Sequence, residues 1–229
     1  MSKLGYRELS QHYGEMLDLF DVVHFNSDVT RSVYLKHTNV KESTLLPITN
    51  KNVEDNRRAR SYEPPCLKLL FIGSSAHYKG FPMLEQALSE LYGEGHRSWQ
   101  LDVWGDVGSS PCELIEFKGG YKPEDLKQIY HNDALLITPS LWHETFSLTT
   151  LEALSYGIPT LVSSTVGAKD IVADYDEWFI FSHVEDLKSK LLELLGDRSR
   201  LREFNQTIIT KEWHHSLSAH AKEIMKLYY

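Results

Sequence analysis

Long apolar runs are missing from this chain of 229 residues. No window reaches the ~18 consecutive apolar residues of a membrane span, and the opening MSKLGYRELSQHYGEM lacks the apolar core of a secretory signal. A cytoplasmic location is therefore expected. Cysteine is scarce: Cys66 and Cys112 stand far apart, with no second cysteine or paired histidine at ligand spacing, so neither a disulfide nor a zinc site is expected. Positive charge is in deficit. Against 32 acidic residues there are 24 Lys and Arg, a formal net charge of −8 that opposes attraction to nucleic acid or to an anionic membrane. A ligand carrying phosphate must then be held by local donors. Internal repeats and low-complexity tracts are also lacking. What the chain does have is 41% hydrophobic residues and 11% aromatic, enough to bury a substantial core in one large domain or two small ones.

Apolar runs ending in Gly or Ser alternate with stretches of helical periodicity. LKLLFIG (Leu67 to Gly73) reads as a strand, followed by a helix from about Lys79 to Leu91 whose Phe81, Leu84, Ala87, Leu88 and Leu91 share one face. WQLDVWG, LIEFKGG, ALLITPS, IPTLVSS and EWFIFS read as further strands, with helices at about Pro123 to His131, Phe146 to Tyr156 and Val184 to Leu195. This alternation predicts an α/β fold: a Rossmann-like, doubly wound parallel sheet with helices on both faces. Ligands of such sheets lie beyond the carboxyl ends of the strands, where Gly73, Gly105, Gly119, Gly120 and Ser140 fall. The first sixty residues read differently. A helix from Tyr6 to Phe20, the strand DVVHFNS, a cap at Ser27 or Asp28, a helix to about Lys36 and the short strand STLLPIT precede NKNVEDNRRARSYEPP. That polar, proline-closed stretch is expected to be an exposed connector, its Arg57, Arg58 and Arg60 solvated or, alternatively, touching an anionic membrane or lipid-linked acceptor. The tail WHHSLSAHAKEIMKLYY reads as a final amphipathic helix, and its His214, His215 and His220 lack the carboxylate or Cys spacing of a metal site.

The stretch PSLWHETFSLTTLEAL, Pro139 to Leu154, sets Glu144 at the mouth of a helix and Glu152 inside it. On a helical rise the two carboxylates are roughly 12 Å apart, too far to share a proton and beyond the ~5 to 9.5 Å of a glycosidase acid and base. A ligand with two hydroxyl-bearing ends suits that spacing. Between them, TFSLTTL places backbone N–H groups at a helix start, which favours an anion. Each glutamate alone is equally an ordinary helix residue, but Glu152 sits among Leu148, Leu151 and Leu154, where a carboxylate without a partner is costly. A zincin arrangement fails because position 147 is Ser147. His143 adjoins the site and either touches a ligand or shapes the loop.

The pair Glu144 and Glu152 within PSLWHETFSLTTLEALSYGIPTLVSSTVGAKDIV, together with LLFIGSSAHYKG and FKGGYKPEDLKQIYHNDALLITPS in that order, resembles the carboxyl-terminal domain of the retaining glycosyltransferases of family 4 (group 1), which have the two-domain GT-B fold. The resemblance covers about Leu67 to Val172. It implies that Glu144 contacts the donor hexose, that Glu152 binds the ribose hydroxyls and that Lys79 neutralises the donor diphosphate, so that Glu144 and Lys79 are the catalytic candidates. The backbone of Thr145, Phe146 and Ser147 would cradle phosphate, Gly120 and Tyr121 would hold the base, Gly73 would approach the phosphates, and His143 would border the donor. Ser74 stands near the place where the family usually has a second phosphate-binding arginine; Lys118 or Lys169 could substitute. The resemblance further implies metal-independent transfer of a hexose from UDP- or GDP-sugar, without another cofactor, to a glycan or lipid-linked acceptor in polysaccharide or glycoconjugate synthesis, cytoplasmic and in contact with the inner face of the membrane. Residues 1–42 would be the end of an amino-terminal acceptor domain and 43–229 the donor-binding domain. The rest of the acceptor domain, or a partner subunit, would then be needed for turnover. A non-catalytic nucleotide-sugar-binding subunit and a nucleotide-sugar epimerase are the alternatives.

Overall fold

The computed structural model describes residues 5–63, 65–131 and 134–228. The chain opens with α1 (Tyr6–Leu17), β1 (Val23–Phe25), α2 (Asp28–Leu35) and β2 (Ser43–Leu45). The first helix stops at Leu17 rather than Phe20; Asp18 and Asp21 are carboxylates that a helix C-terminus disfavours. Ser27 caps α2, its hydroxyl accepting from the Thr30 amide (3.1 Å). Strands β1 and β2 pair in parallel in a sheet of their own, a smaller unit apart from the main sheet.

The connector that follows is a strap, not an exposed linker. Val53 and Tyr62 are fully buried, and Arg60, 7% exposed, donates to the carbonyls of Tyr130 (2.7 Å) and Tyr156 (2.9 Å). Arg57 pairs with Asp55 (2.7 Å) and donates to the carbonyls of Ile208 and Lys211, while Arg58 reaches that of His131. Arg57 and Arg60 serve helix and loop carbonyls, so the reading of those two as solvated or membrane-facing is corrected, while Arg58 stays exposed. Orphan carbonyls at helix ends attract guanidinium donors more firmly than solvent-exposed ion pairs do.

Beyond the strap come β3 (Leu67–Ile72), α3 (Phe81–Gly93), β4 (Trp99–Trp104), β5 (Ile115–Gly119), α4 (Leu126–Ile129), β6 (Ala134–Thr138), α5 (Leu148–Ser155), β7 (Thr160–Ser163), α6 (Lys169–Asp176), β8 (Ile180–Phe181), α7 (Val184–Gly196), α8 (Ser199–Thr210) and α9 (Leu217–Tyr228). Among the described residues, six strands form one parallel sheet in the order β5-β4-β3-β6-β7-β8. The period of two along β3 sends Leu69 and Phe71 into the larger core and Leu70 and Ile72 into a second core on the opposite face. That division is what a doubly wound sheet requires. Strand order reverses between β3 and β6, and ligands of open parallel sheets bind beyond that reversal.

Helices α6 and α8 were not among the expected elements. In α8 the buried Leu201, Phe204, Asn205 and Ile208 do follow i, i+3, i+4, i+7, but one member of the stripe is polar. Asn205 is buried because it stitches the strap: its carboxamide donates to the carbonyls of Gly157 (2.7 Å) and Arg58 (3.0 Å) and accepts from the Arg60 amide (2.9 Å).

Candidate functional site

The loop leaving β3 is anchored before it reaches the site. The Ser75 amide and hydroxyl both donate to Asp106 Oδ2 (2.7 Å each), and the Gly73 amide donates to the Trp104 carbonyl (2.8 Å). A short 3-10 turn, His77–Lys79, then ends at Gly80 with φ +75. A Cβ there would lie 1.7 Å from the Pro139 carbonyl oxygen, so only glycine lets this turn sit on the end of β6. That approach brings Lys79 Nζ to 3.0 Å from Glu144 Oε1. Ser140 donates to the other carboxylate oxygen (2.6 Å), and Thr165 holds Ser140 in turn through its carbonyl (2.6 Å).

Glu144 lies outside the helix. Its backbone forms an isolated parallel bridge with Val166: the Glu144 amide donates to the Thr165 carbonyl (3.1 Å), and the Gly167 amide donates back to Glu144 (2.9 Å). The helix expected from Phe146 begins at Leu148, because Ser147 takes φ +115 and its hydroxyl accepts from the Thr150 amide (3.4 Å) as an N-cap. Helical rise therefore accounts for only about 6 Å of the distance between the glutamates. Phe146 is buried, and its carbonyl accepts from the Ala168 amide (2.9 Å). The amides of Thr145, Phe146 and Ser147 find no acceptor among the described residues.

Glu152 is 7% exposed, and its carboxylate accepts from Asn50 Nδ2 (3.2 Å). Burial raises its pKa, and the Asn50 hydrogen bond offsets only part of that. The partner that a buried glutamate needs thus comes from the strap, which sequence reasoning missed by reading that segment as exposed. Tyr121, Tyr130 and Tyr156 all have raised pKa values, by burial first and by the charge of Glu152 second, which groups three rings around one carboxylate. Tyr121 sits against the second core, beside the exposed Gly120.

The structure thus brings Lys79, Glu144, Thr145, Phe146 and Ser147 together at the reversal point, with Glu152 inside α5. Ser74 and His143 lie exposed at the rim, the Ser74 hydroxyl accepting from Ala76 (3.3 Å). Lys118 and Lys169 have carboxylate partners elsewhere: Lys118 pairs with Glu116 (2.6 Å) and Asp102 (3.6 Å) on the sheet face, and Lys169 with Asp170 (2.9 Å). Tyr78, Lys79, Ser140, Trp142 and Glu144 line a cleft of about 320 Å³. A larger groove of about 400 Å³, between α1 and α2, is lined by Leu9, Tyr13, Met16, Leu17, Val33 and Tyr34 among others, without lysine, arginine or carboxylate. An ionic ligand is served by the smaller cleft, where a cation, a carboxylate and the Ser140 hydroxyl converge.

The family model described as "Glycosyl transferases group 1" matches residues 53–211. An O-antigen chain mannosyltransferase B of Escherichia coli is 30% identical over 124 residues, covering 53% of this chain and 32% of the relative. A D-inositol 3-phosphate glycosyltransferase of Corynebacterium aurimucosum is 24% identical over 240 residues, covering 97% of this chain and 54% of the relative. The chain thus spans between a third and about half of these curated relatives. Among solved structures, HepE from Anabaena in complex with UDP aligns with TM-score 0.76 at 11% identity, covering 98% of this chain and 68% of that one. Sucrose-phosphate synthase from Thermosynechococcus elongatus aligns with TM-score 0.73 at 18% identity, covering 96% and 60%. At such identities the structural likeness shows the fold, that of a GT-B glycosyltransferase. With the family model spanning most of the six-stranded domain, the chain belongs to the group 1 glycosyl transferases.

Proposed function

We propose that this chain carries the nucleotide-sugar-binding half of a glycosyltransferase that moves a hexose from a UDP- or GDP-sugar, with retained configuration, to a glycan or lipid-linked acceptor. The observation that carries the reading is the Lys79–Glu144 pair (3.0 Å), set beside the pinned 144–147 loop and one helical turn before the buried Glu152. On this reading a donor replaces the ion pair. Its diphosphate takes Lys79 and the amides of Phe146 and Ser147, a hexose hydroxyl takes Glu144, and the ribose hydroxyls take Glu152. As the bond between the sugar carbon and the diphosphate oxygen breaks, an acceptor hydroxyl oxygen bonds to that carbon, negative charge grows on the leaving oxygen, and the departing diphosphate takes the acceptor's proton. Lys79 and the helix start stabilise that charge, an electrostatic contribution that usually dominates such catalysis. No metal and no protein nucleophile enter the scheme. The E. coli O-antigen mannosyltransferase supports a hexose and a surface-polysaccharide role.

The acceptor side is proposed to belong to further sequence of the kind the longer relatives contain. The purified chain is accordingly expected to bind donor without robust turnover. A thermal-shift screen of UDP, GDP, ADP and their sugars tests the reading, because a ligand that binds only the folded state raises its stability by about 2.7 kcal/mol at a hundredfold excess over Kd. One nucleotide diphosphate should shift the wild type and fail to shift Glu152→Ala. Equal shifts in both proteins would refute the assignment of Glu152, and no shift with any nucleotide would refute the donor reading itself.

A further inference from the structure

The phosphate loop is held from outside its own domain. The Thr145 carbonyl accepts from Ser27 Oγ (2.6 Å), 118 residues away, and lies 3.1 Å from Thr30 Oγ1, 115 residues away, whose single proton it shares with Asn26 Oδ1 (3.0 Å). Ser27 is 5% exposed, and its neighbours leave no slack: a Cβ on Gly167 would lie 2.2 Å from the Thr145 carbonyl oxygen and 2.5 Å from Ser27 Oγ. A second contact fixes the same approach, the Asp28 amide at the start of α2 donating to Asp170 Oδ2 (3.1 Å). Asp170 is also the partner of Lys169.

A trans peptide is planar, with its C=O and N–H pointing in opposite directions. Fixing the Thr145 carbonyl toward α2 therefore turns the N–H of Phe146 away from α2, and that N–H has no acceptor among the described residues. On the neighbouring peptides, Gly167 and Ala168 fix the carbonyls of Glu144 and Phe146 in the same manner. The domain itself can hold those two. The peptide between them is set by Ser27 and Thr30.

We infer that Ser27 and Thr30 are positioning residues that aim the Phe146 amide at the donor diphosphate, so that the smaller unit governs how well the donor half grips phosphate. This rests on the reading of residues 145–147 as the phosphate cradle. A movement of α2 away from α6 would release the Thr145 carbonyl and let that peptide turn, weakening diphosphate binding without touching Lys79, Glu144 or Glu152.

Two measurements separate this inference from the reading beneath it. Hydrogen exchange is followed at the Glu144, Gly167 and Ala168 amides, which bond across the pinned loop, in wild type, Ser27→Ala/Thr30→Val and Thr30→Val alone. The single variant keeps the Ser27 cap of α2 and serves if the double variant does not fold. Exchange at these amides should quicken about tenfold, near the equivalent of one lost hydrogen bond, while strands β6 and β7 stay protected. Calorimetry then compares UDP with UMP, and GDP with GMP. The diphosphate should weaken about tenfold in the variants and the monophosphate little, with Thr30→Ser restoring both the exchange and the affinity. Unchanged exchange overturns the pin. Quickened exchange with unaltered diphosphate affinity overturns its role in phosphate binding. If the wild type binds neither diphosphate, the donor reading falls instead, and the exchange result still decides whether α2 holds the loop.

Discussion

Replacing Gly80 by alanine should damage both the stability and the site of this protein, for two reasons that add. Position 80 has φ +75, a conformation that costs an L side chain about 1–2 kcal/mol. The new methyl would also lie 1.7 Å from the oxygen and 2.5 Å from the carbon of the Pro139 carbonyl, backbone atoms that cannot swing aside as a side-chain tip can. Relieving such an overlap in a packed interior costs a further ~1–3 kcal/mol. The sum, about 2–5 kcal/mol, translates for a chain of this size into a fall in Tm of roughly 4–20 °C. Because the 77–79 turn must lift off Pro139, Lys79 should lose its 3.0 Å contact with Glu144, and any diphosphate-induced stabilisation should drop with it. Differential scanning fluorimetry of wild type, Gly80→Ala and Gly93→Ala, with and without UDP or GDP, is the assay. Gly93 ends α3 with nothing within 4 Å of where a methyl would stand, so its substitution should be harmless or raise Tm by about 1–4 °C. A Gly80→Ala protein melting within about 2 °C of wild type would refute the claim that this glycine is what lets the two strand ends meet.

Two limbs of opposite sign are expected in the pH dependence of stability. His215, partly buried against Trp213, has its pKa lowered from 6.5 to about 4, chiefly by burial. Between those values the unfolded chain takes up a proton that the folded chain refuses, so stability falls as pH drops, by about 3 kcal/mol over the window, and His215→Gln should flatten that limb. Glu152 behaves inversely: its raised pKa means the folded chain keeps the proton longer, so stability falls as pH rises above 4.5. Glu152→Gln should be more stable than wild type at pH 7 and indistinguishable below 4.5; urea titrations in which that gap persists in acid would contradict burial as the cause. Ser74→Arg should supply a second cation at the phosphates and tighten binding of the preferred nucleoside diphosphate about ten- to hundredfold by calorimetry, and an unchanged constant would place Ser74 away from the phosphates.

The sheet and most of its helices were legible because each strand is a short apolar run stopped by Gly or Ser, and the helices of the larger core keep a 3.6-residue stripe. Glu144 and Lys79, 65 residues apart in sequence, could be brought together on paper only by resemblance; the 3.0 Å contact depends on a glycine whose neighbour, the Pro139 carbonyl, no local pattern reveals. Ser147 at φ +115 delayed the helix start, since a serine gives no warning of a positive φ as Gly does. The partner of Glu152 was hidden for another reason. Asn50 and Arg60 lie in a polar stretch whose composition signals solvent, whereas Asn50 is half-buried against a carboxylate and Arg60 buried against carbonyl oxygens. Polarity reports the kind of contact a residue makes and is silent on whether water or protein makes it. The clamp by Ser27 and Thr30 was out of reach of any local rule, because it acts across more than a hundred residues.

Asn205 fastens the entry of the six-stranded domain to its exit. Through it, residues 58–60 of the strap and α8 are tied side by side, and Arg57 adds the Ile208 and Lys211 carbonyls to the same seam. Tension applied between the smaller unit and α9 would meet this seam before it reached any strand of the sheet. Ahead of the seam the strap is held twice more, by Thr49 Oγ1 donating to the His215 carbonyl (2.7 Å) and by Asn50 reaching Glu152. A mechanical strain too small to unfold the sheet would therefore be felt at the buried Glu152.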